Sequence, residues 1–145
     1  MMFSRSIAGL SGVVALIAGA IALPALADGD HPTTMDAPAS HAAPAGMSVK
    51  ATIKPDTMKG HNLFVTTKGF RFAPQHASSK HIQGEGHAHI YVDGKKLTRL
   101  YGNAFYLGDL APGTRKVKVT LNGNDHGDYV RGGKAVASTV TVKVP

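Results

Sequence analysis

Short runs of alternating apolar and polar residues fill the chain from Ser48 onward. The first run sets Val49, Ala51 and Ile53 between lysines and threonines and ends at Pro55. A period of two is typical of strands that bury one face. Further runs cover residues 62–68, extended by 70–72, then 87–92, 96–101, 104–107, 117–121 and 136–144. This series, which has no helical period, predicts an all-β domain over residues 48–145, an antiparallel two-sheet sandwich of immunoglobulin or cupredoxin type.

The run at 87–92 carries the most distinctive side chains. It lies within G-E-G-H-A-H-I-Y-V-D-G, residues 84–94. Residues two apart on a strand point to the same face, about 6.6 Å apart, so His87 and His89 are expected side by side. Asp93 and Gly94 predict a tight hairpin turn after the strand. Two imidazoles on one half-buried strand are a ready half-site for a transition metal, although isolated surface histidines also occur in this pattern.

The first 27 residues predict a signal peptide. Arg5 precedes an apolar run from Ile7 to Leu26, and Ala25-Leu26-Ala27 forms a small-residue cleavage site. This pattern predicts export to the periplasm with cleavage after Ala27, and no stable membrane insertion after processing. The alternative is a membrane anchor, since about 20 apolar residues can span a bilayer.

Residues 28–47 are rich in alanine and proline and show no apolar period. Such a composition predicts a disordered linker. This segment contains His31, His41, Met35 and Met47. It is therefore interpreted as a spacer or as a loose metal-collecting tail, because histidine and methionine both suit copper.

Composition narrows the possible functions. The chain has no cysteine, which excludes disulfides, thiolate metal sites and cysteine nucleophiles. Its formal net charge of +7 would favour nucleic acid as a partner in a cytoplasmic protein, but the predicted export argues against it. Glu85 is the only glutamate, so a paired-carboxylate site is not expected.

A third ligand is expected from His126, which follows the strand that ends at Leu121. His61, at the start of the second strand, is the predicted fourth ligand, with Met58 behind it as a weaker candidate. Asp125 is a further weaker candidate, either as an oxygen ligand or as a group that orients a ligand imidazole. His76 and His81 lie in the long loop before the His87 strand and are interpreted as surface or hydrogen-bonding histidines.

The ligand types predict the metal. Imidazole suits copper, zinc, nickel and iron, and the methionines shift the choice towards copper, with zinc second. The sequence therefore predicts a periplasmic metal carrier, buffer or resistance protein that binds a copper ion and is not an enzyme. Its partners would be the metal ion and another periplasmic metal-handling protein. Two alternatives stay open: an envelope interaction module without metal, and a copper-dependent redox enzyme, since three histidines with an open position also suit catalysis.

The Gly-His-x-His strand, the Leu-x-Pro-Gly turn at 110–113 and the late Asp-His at 125–126 resemble an uncharacterised family of short secreted bacterial β-sandwich proteins. The resemblance covers residues 62–144. It implies an exported sandwich whose signature is His87, His89 and Asp125-His126, and it brings no activity with it. A looser similarity, in fold class and in histidine and methionine content, links the chain to periplasmic copper-binding sandwiches.

Overall fold

A computed structural model describes residues 39–145. The predicted signal peptide and residues 28–38 of the predicted linker lie outside this range. The described part contains strands and one turn of 3₁₀ helix at Pro74–His76, with no α-helix. None of its segments forms a helix long and apolar enough to cross a membrane.

Eleven strands make up the described chain. Their bounds are β1 Ser40–Ala42, β2 Ser48–Pro55, β3 His61–Lys68, β4 Arg71–Phe72, β5 Glu85–Val92, β6 Lys95–Leu100, β7 Ala104–Gly108, β8 Gly113–Asn122, β9 Asp128–Arg131, β10 Lys134–Ala135 and β11 Ala137–Val144. The alternating runs of the sequence therefore correspond to strands, and Asp93-Gly94 forms the expected hairpin turn, with φ angles of 49° and 83°.

The strands form two sheets. The larger and strongly curled sheet has β11, β8, β5 and β6 side by side, and β9, β10, β1 and β4 continue it at its ends. The smaller sheet has the order β2-β3-β7. The all-β, two-sheet prediction is confirmed, with two parallel pairings, β1 with β9 and β4 with β5, in an otherwise antiparallel fold. The immunoglobulin or cupredoxin type stays a prediction.

One apolar cluster lies against both sheets. Ile90 of β5 and Val119 of β8 are cross-strand partners and are fully buried, as is Leu63 of the smaller sheet. Burial of side chains of this size stabilises the fold by about 1.5–3 kcal/mol each. Ala88 and Ile90 of β5 point into this core. The histidines that alternate with them, His87 and His89, must therefore point to the other face of the sheet.

In the structure the folded domain includes residues before 48, the position at which the sequence predicted it to begin. β1 pairs with β9 in parallel, and Met47 is fully buried in the core. Arg131 donates hydrogen bonds to the carbonyl oxygens of Pro44 and Met47, at 3.0 and 2.9 Å. Residues 39–47 are thus an ordered part of the domain, because they bury an apolar side chain and pair their backbone.

Residues 70–72 also differ from expectation. They do not extend β3. Gly69 takes a φ of 62°, and Arg71 and Phe72 then pair in parallel with Glu85 and Gly86 of the other sheet. The chain therefore changes sheets at a glycine that tolerates the left-handed conformation.

Candidate metal centre

The inner cluster consists of His87, His89 and His126. His87 and His89 lie on one face of β5, as the alternation predicted, and Asn122 and Thr120 of β8 are their cross-strand partners. His87 is fully buried and His89 is 5% exposed. The strand is therefore buried on both faces rather than half-buried, because the rings of His126 and Tyr101 pack against His87 and the side chain of Lys96 contacts His89.

The three side chains converge on one point. Nε2 of His87 lies 2.9 Å from Nε2 of His89 and 3.2 Å from Nδ1 of His126. All three candidate ligand atoms lie within 4.8 Å of one another. Two nitrogens bound to one metal ion at about 2.0–2.1 Å, with angles of about 90–120°, are separated by about 2.9–3.5 Å. The two short separations match this range, so the inner cluster could hold a transition-metal ion.

His126 reaches the cluster through a tight turn between β8 and β9. The turn is closed by hydrogen bonds from the Gly123 amide to Gly127 oxygen, at 2.7 Å, and from the His126 amide to Gly123 oxygen, at 3.0 Å. His126 itself has a φ of 72°, which is uncommon for a residue with a side chain. Strained backbone of this kind is concentrated at functional sites. The strain here aims the imidazole at β5.

The imidazoles of the inner cluster are neutral at pH 7. Burial lowers the pKa of His87 to about 4, and the charges of His126, Arg99 and Lys96 act in the same direction. Burial, followed by the charge of Lys96, lowers the pKa of His89 to about 3. Burial also lowers the pKa of His126. Each ring therefore keeps the lone pair that a metal ion requires.

Lys96 occupies one side of the inner cluster. Its Nζ donates a hydrogen bond to Nε2 of His89 at 2.9 Å. The pairing of β5 with β6 shifts register between Ile90 and Tyr91, so that Tyr91 faces Lys96 rather than Leu97. A bulge re-aims the side chains beyond it, and here it brings the ammonium onto the histidine face. A metal ion that takes this lone pair must displace Lys96.

The side chain of His87 is positioned mainly by packing. Its Nδ1 is buried and makes no hydrogen bond within residues 39–145, and its ring lies against Tyr101 at a centroid distance of 5.1 Å. An unpaired buried nitrogen costs about 1–3 kcal/mol. This position of the His87 ring therefore reduces the stability of the fold, while it places Nε2 next to the other two imidazoles.

The other predicted ligands lie elsewhere. His61 begins β3 of the smaller sheet, paired with Gly108, and it belongs to neither histidine cluster. Met58 is 91% exposed. The structure does not bring the predicted fourth ligand to the inner cluster, because β3 pairs with β2 and β7 and not with any strand that carries an inner histidine.

A second group, the outer cluster, consists of His41, His81 and Asp125. Nε2 of His41 lies 2.8 Å from Oδ1 of Asp125, and the rings of His41 and His81 stack at a centroid distance of 3.5 Å. Asp125 therefore contacts His41, and it does not have the role beside His126 in the inner cluster that the sequence predicted. His81 hydrogen-bonds to Gln83, as its interpretation as a surface or hydrogen-bonding histidine allows. No sequence signal predicts its contact with His41, because that contact depends on β1 pairing.

A buried glutamate ties the surrounding loops together. Glu85 is 2% exposed and accepts hydrogen bonds from Arg71, His76 and Asn124. The hydrogen bond with His76 is the largest cause of the lowered pKa of this carboxyl group. His76 thus holds the loop before β5, and Asn124 holds the turn that carries His126.

Comparisons with known proteins add no identity. No protein-family model, curated protein or solved structure matches the chain. The resemblance to secreted bacterial sandwiches therefore stays a prediction, and the functional argument rests on the geometry of the two clusters.

Proposed function

We propose that the protein binds a copper ion, with zinc as second choice, at the inner cluster, and that it acts as a carrier, buffer or resistance protein. The observation that supports this most strongly is the convergence of three neutral imidazole nitrogens within 4.8 Å. Buried histidines usually hydrogen-bond to carbonyls or carboxylates, whereas these point at one another. Such an arrangement is favourable when a cation lies between them.

Charge favours copper over zinc at this position. The three ligands are neutral, so they do not offset the charge of the ion. Lys96 and Arg99 add positive charge nearby, as their effect on the His89 pKa indicates. The repulsion between two cations grows with the charge of each, so monovalent copper is penalised about half as much as a divalent ion. Imidazole is also a good copper ligand.

Lys96 supports a carrier or buffer role. Its ammonium competes with the metal for the lone pair of His89. Competition of this kind lowers affinity and gives a route for release, because the lysine can return as the ion leaves. A permanently held structural ion would gain nothing from such a neighbour.

The proposed compartment rests on the sequence. The apolar run that ends at Ala25-Leu26-Ala27 is typical of exported proteins and supports a periplasmic location. There the chain would exchange its ion with another metal-handling protein. The same proposal includes the sandwich type, immunoglobulin-like or cupredoxin-like, on the basis of the two-sheet architecture.

The test is a titration of the full exported chain with copper(I) and with zinc, together with elemental analysis of the protein from its native compartment. We expect the double variant His87→Ala/His89→Ala to lose the copper site, and His126→Ala to weaken copper binding by more than 100-fold. His61→Ala is the matched control, since His61 lies outside both clusters, and it should bind as the parent does. Equal copper affinity of parent and double variant would overturn the proposal, and turnover by the loaded protein would favour the redox enzyme instead.

A further inference from the structure

The outer cluster lies on the same β8–β9 turn as the inner cluster but uses different ligands. The geometry points to a second metal site formed by His41, His81 and Asp125, suited to a divalent ion of the zinc class. One nitrogen or oxygen from each residue lies within 4.8 Å of the others. The three residues come from β1, from the loop before β5 and from the turn, so the folded domain alone assembles them.

Hydrogen bonding leaves Nδ1 of His81 as the nitrogen that faces the cluster. The His81 ring is stacked nearly parallel to that of His41, so one ring must tilt before both lone pairs meet one ion. The Gln83 amide nitrogen donates to the Ala42 carbonyl oxygen at 3.1 Å, which fixes the orientation of that amide. Its oxygen then lies 2.9 Å from Nε2 of His81, so Nε2 carries the proton. Nδ1 is consequently the unprotonated nitrogen, and it is buried without a hydrogen-bond partner among the described residues. A ligand imidazole whose other nitrogen donates to an oxygen is the usual arrangement around a metal.

The backbone beside the cluster leaves room for these ligands. A Cβ atom on Gly123 would lie 2.7 Å from Nδ1 of His81 and 3.0 Å from Oδ1 of Asp125. A Cβ atom on Gly127 would lie 2.5 Å from Nε2 of His41. The candidate ligand atoms thus crowd against a glycine-lined backbone, where any side chain would collide with them.

The donor set determines the class of ion. Two imidazoles and one carboxylate with an open position are a common zinc combination. The carboxylate offsets one charge of a divalent ion, which none of the inner ligands can do. Its Oδ1 also accepts a hydrogen bond from the Gly127 amide at 3.1 Å, which fixes its direction. The alternative for the contact between His41 and Asp125 is a plain hydrogen bond without a metal ion, and the experiment distinguishes the two.

The experiment is a titration of the full chain with zinc, and with cobalt(II) as a spectroscopic probe, followed by calorimetry and visible absorption. The parent should bind one equivalent of zinc at the outer cluster, besides any zinc that the inner cluster takes. Asp125→Asn, which keeps the size of the side chain and its hydrogen-bonding oxygen, should weaken the outer equivalent by at least tenfold. His81→Ala should do the same, and both variants should keep the copper site of the inner cluster.

The outcomes distinguish this inference from the proposed function. An equivalent that persists in His87→Ala/His89→Ala and disappears in Asp125→Asn supports the outer site, whether or not the inner site binds copper. A single equivalent, lost only in the inner double variant, would overturn the outer site and leave the inner one standing. Undiminished zinc binding in both Asp125→Asn and His81→Ala would also overturn it, and would show that His41 and Asp125 form a hydrogen bond only.

Discussion

The inner and outer clusters each bring together three candidate metal ligands, but they differ in ligand type and in exposure to solvent. The inner cluster has three imidazoles, of which His87 and His89 are buried and His126 is partly exposed, and Lys96 contacts His89. The outer cluster exchanges one imidazole for a carboxylate and is more open, with side-chain exposures of 17% for His41 and 33% for Asp125. Ligand charge and solvent access therefore distinguish the two clusters, and this difference is the basis for proposing a monovalent ion at the inner cluster and a divalent ion at the outer cluster.

The two clusters meet at consecutive residues. Asp125 joins the outer cluster and His126 joins the inner one. The left-handed conformation of His126, with a φ of 72°, turns its side chain away from that of its neighbour. One residue in the left-handed region thus allows a single short turn to contribute a side chain to each cluster.

The largest expected effect comes from the segment that carries His41. Met47 is fully buried directly after this segment, and truncating a buried methionine to alanine costs about 2–5 kcal/mol. Met47→Ala should therefore lower the free energy of unfolding by about that amount, as measured by urea denaturation. His41→Ala is the control and should cost far less, because His41 contributes to the outer cluster and not to the apolar core. A stability unchanged by Met47→Ala would mean that residues 39–47 do behave as a loose linker.

This segment also shows what the sequence could and could not reveal. The period of two identified β5, the Asp93-Gly94 turn and the shared face of His87 and His89, because those features depend on neighbours in the chain. The outer cluster depends on a contact between residues 84 positions apart, His41 and Asp125, which only β1–β9 pairing creates. The alanines and prolines around His41 gave no strand pattern, although a short strand forms there and is stabilised by tertiary contacts.

Other differences also arise from features that the alternation along the chain does not encode. Lys96 reaches His89 only because the β5–β6 pairing contains a bulge. The alternation of residues in β6 does not predict this bulge. The sequence predicts His61 as a ligand because it begins a strand, but the sheet that a strand joins is a property of topology. The structure brings His126 beside β5, as the sequence predicts, because the connection from β8 is short.

The second effect is the dependence of stability on pH in the metal-free protein. His87 and His89 have folded-state pKa values of about 4 and about 3, below the ordinary 6.5 of an unfolded chain. As the pH falls below about 6.5 the unfolded chain takes up protons first, so these residues make the fold less stable down to about pH 3. Above about pH 6.5 these two residues no longer make the free energy of unfolding depend on pH.

The outer cluster responds in a different range. Burial tends to raise the pKa of Asp125, but hydrogen bonds from His41 and the Gly127 amide outweigh it, and the net pKa is lowered. The stabilisation from this carboxylate is present above about pH 4 and is lost only as the pH falls further. Urea denaturation between about pH 6.5 and 4.5 should therefore show a clearly reduced slope of stability against pH for His87→Gln/His89→Gln. The change in slope for Asp125→Asn should be much smaller, because Asp125 is only a minor cause of the pKa values of His87 and His126. Equal slopes in the parent and the histidine variant would contradict the neutral state of the inner cluster.

The smallest expected effect is a gain in affinity at the inner cluster when its lysine is removed. Lys96→Leu deletes the ammonium that lies 2.9 Å from Nε2 of His89, and with it both the competition for the lone pair and the repulsion of the ion. Two unit charges 4 Å apart repel by about 4 kcal/mol near a protein surface, and most of this is avoided if the flexible side chain swings into solvent. We therefore expect copper(I) to bind about tenfold more tightly, which corresponds to about 1.4 kcal/mol. Lys95→Leu is the matched control, because Lys95 is the exposed neighbour on the same strand, and zinc binding at the outer cluster should change in neither variant. A loss of copper affinity in Lys96→Leu would contradict the competition and would identify the lysine amine as a fourth ligand to the ion.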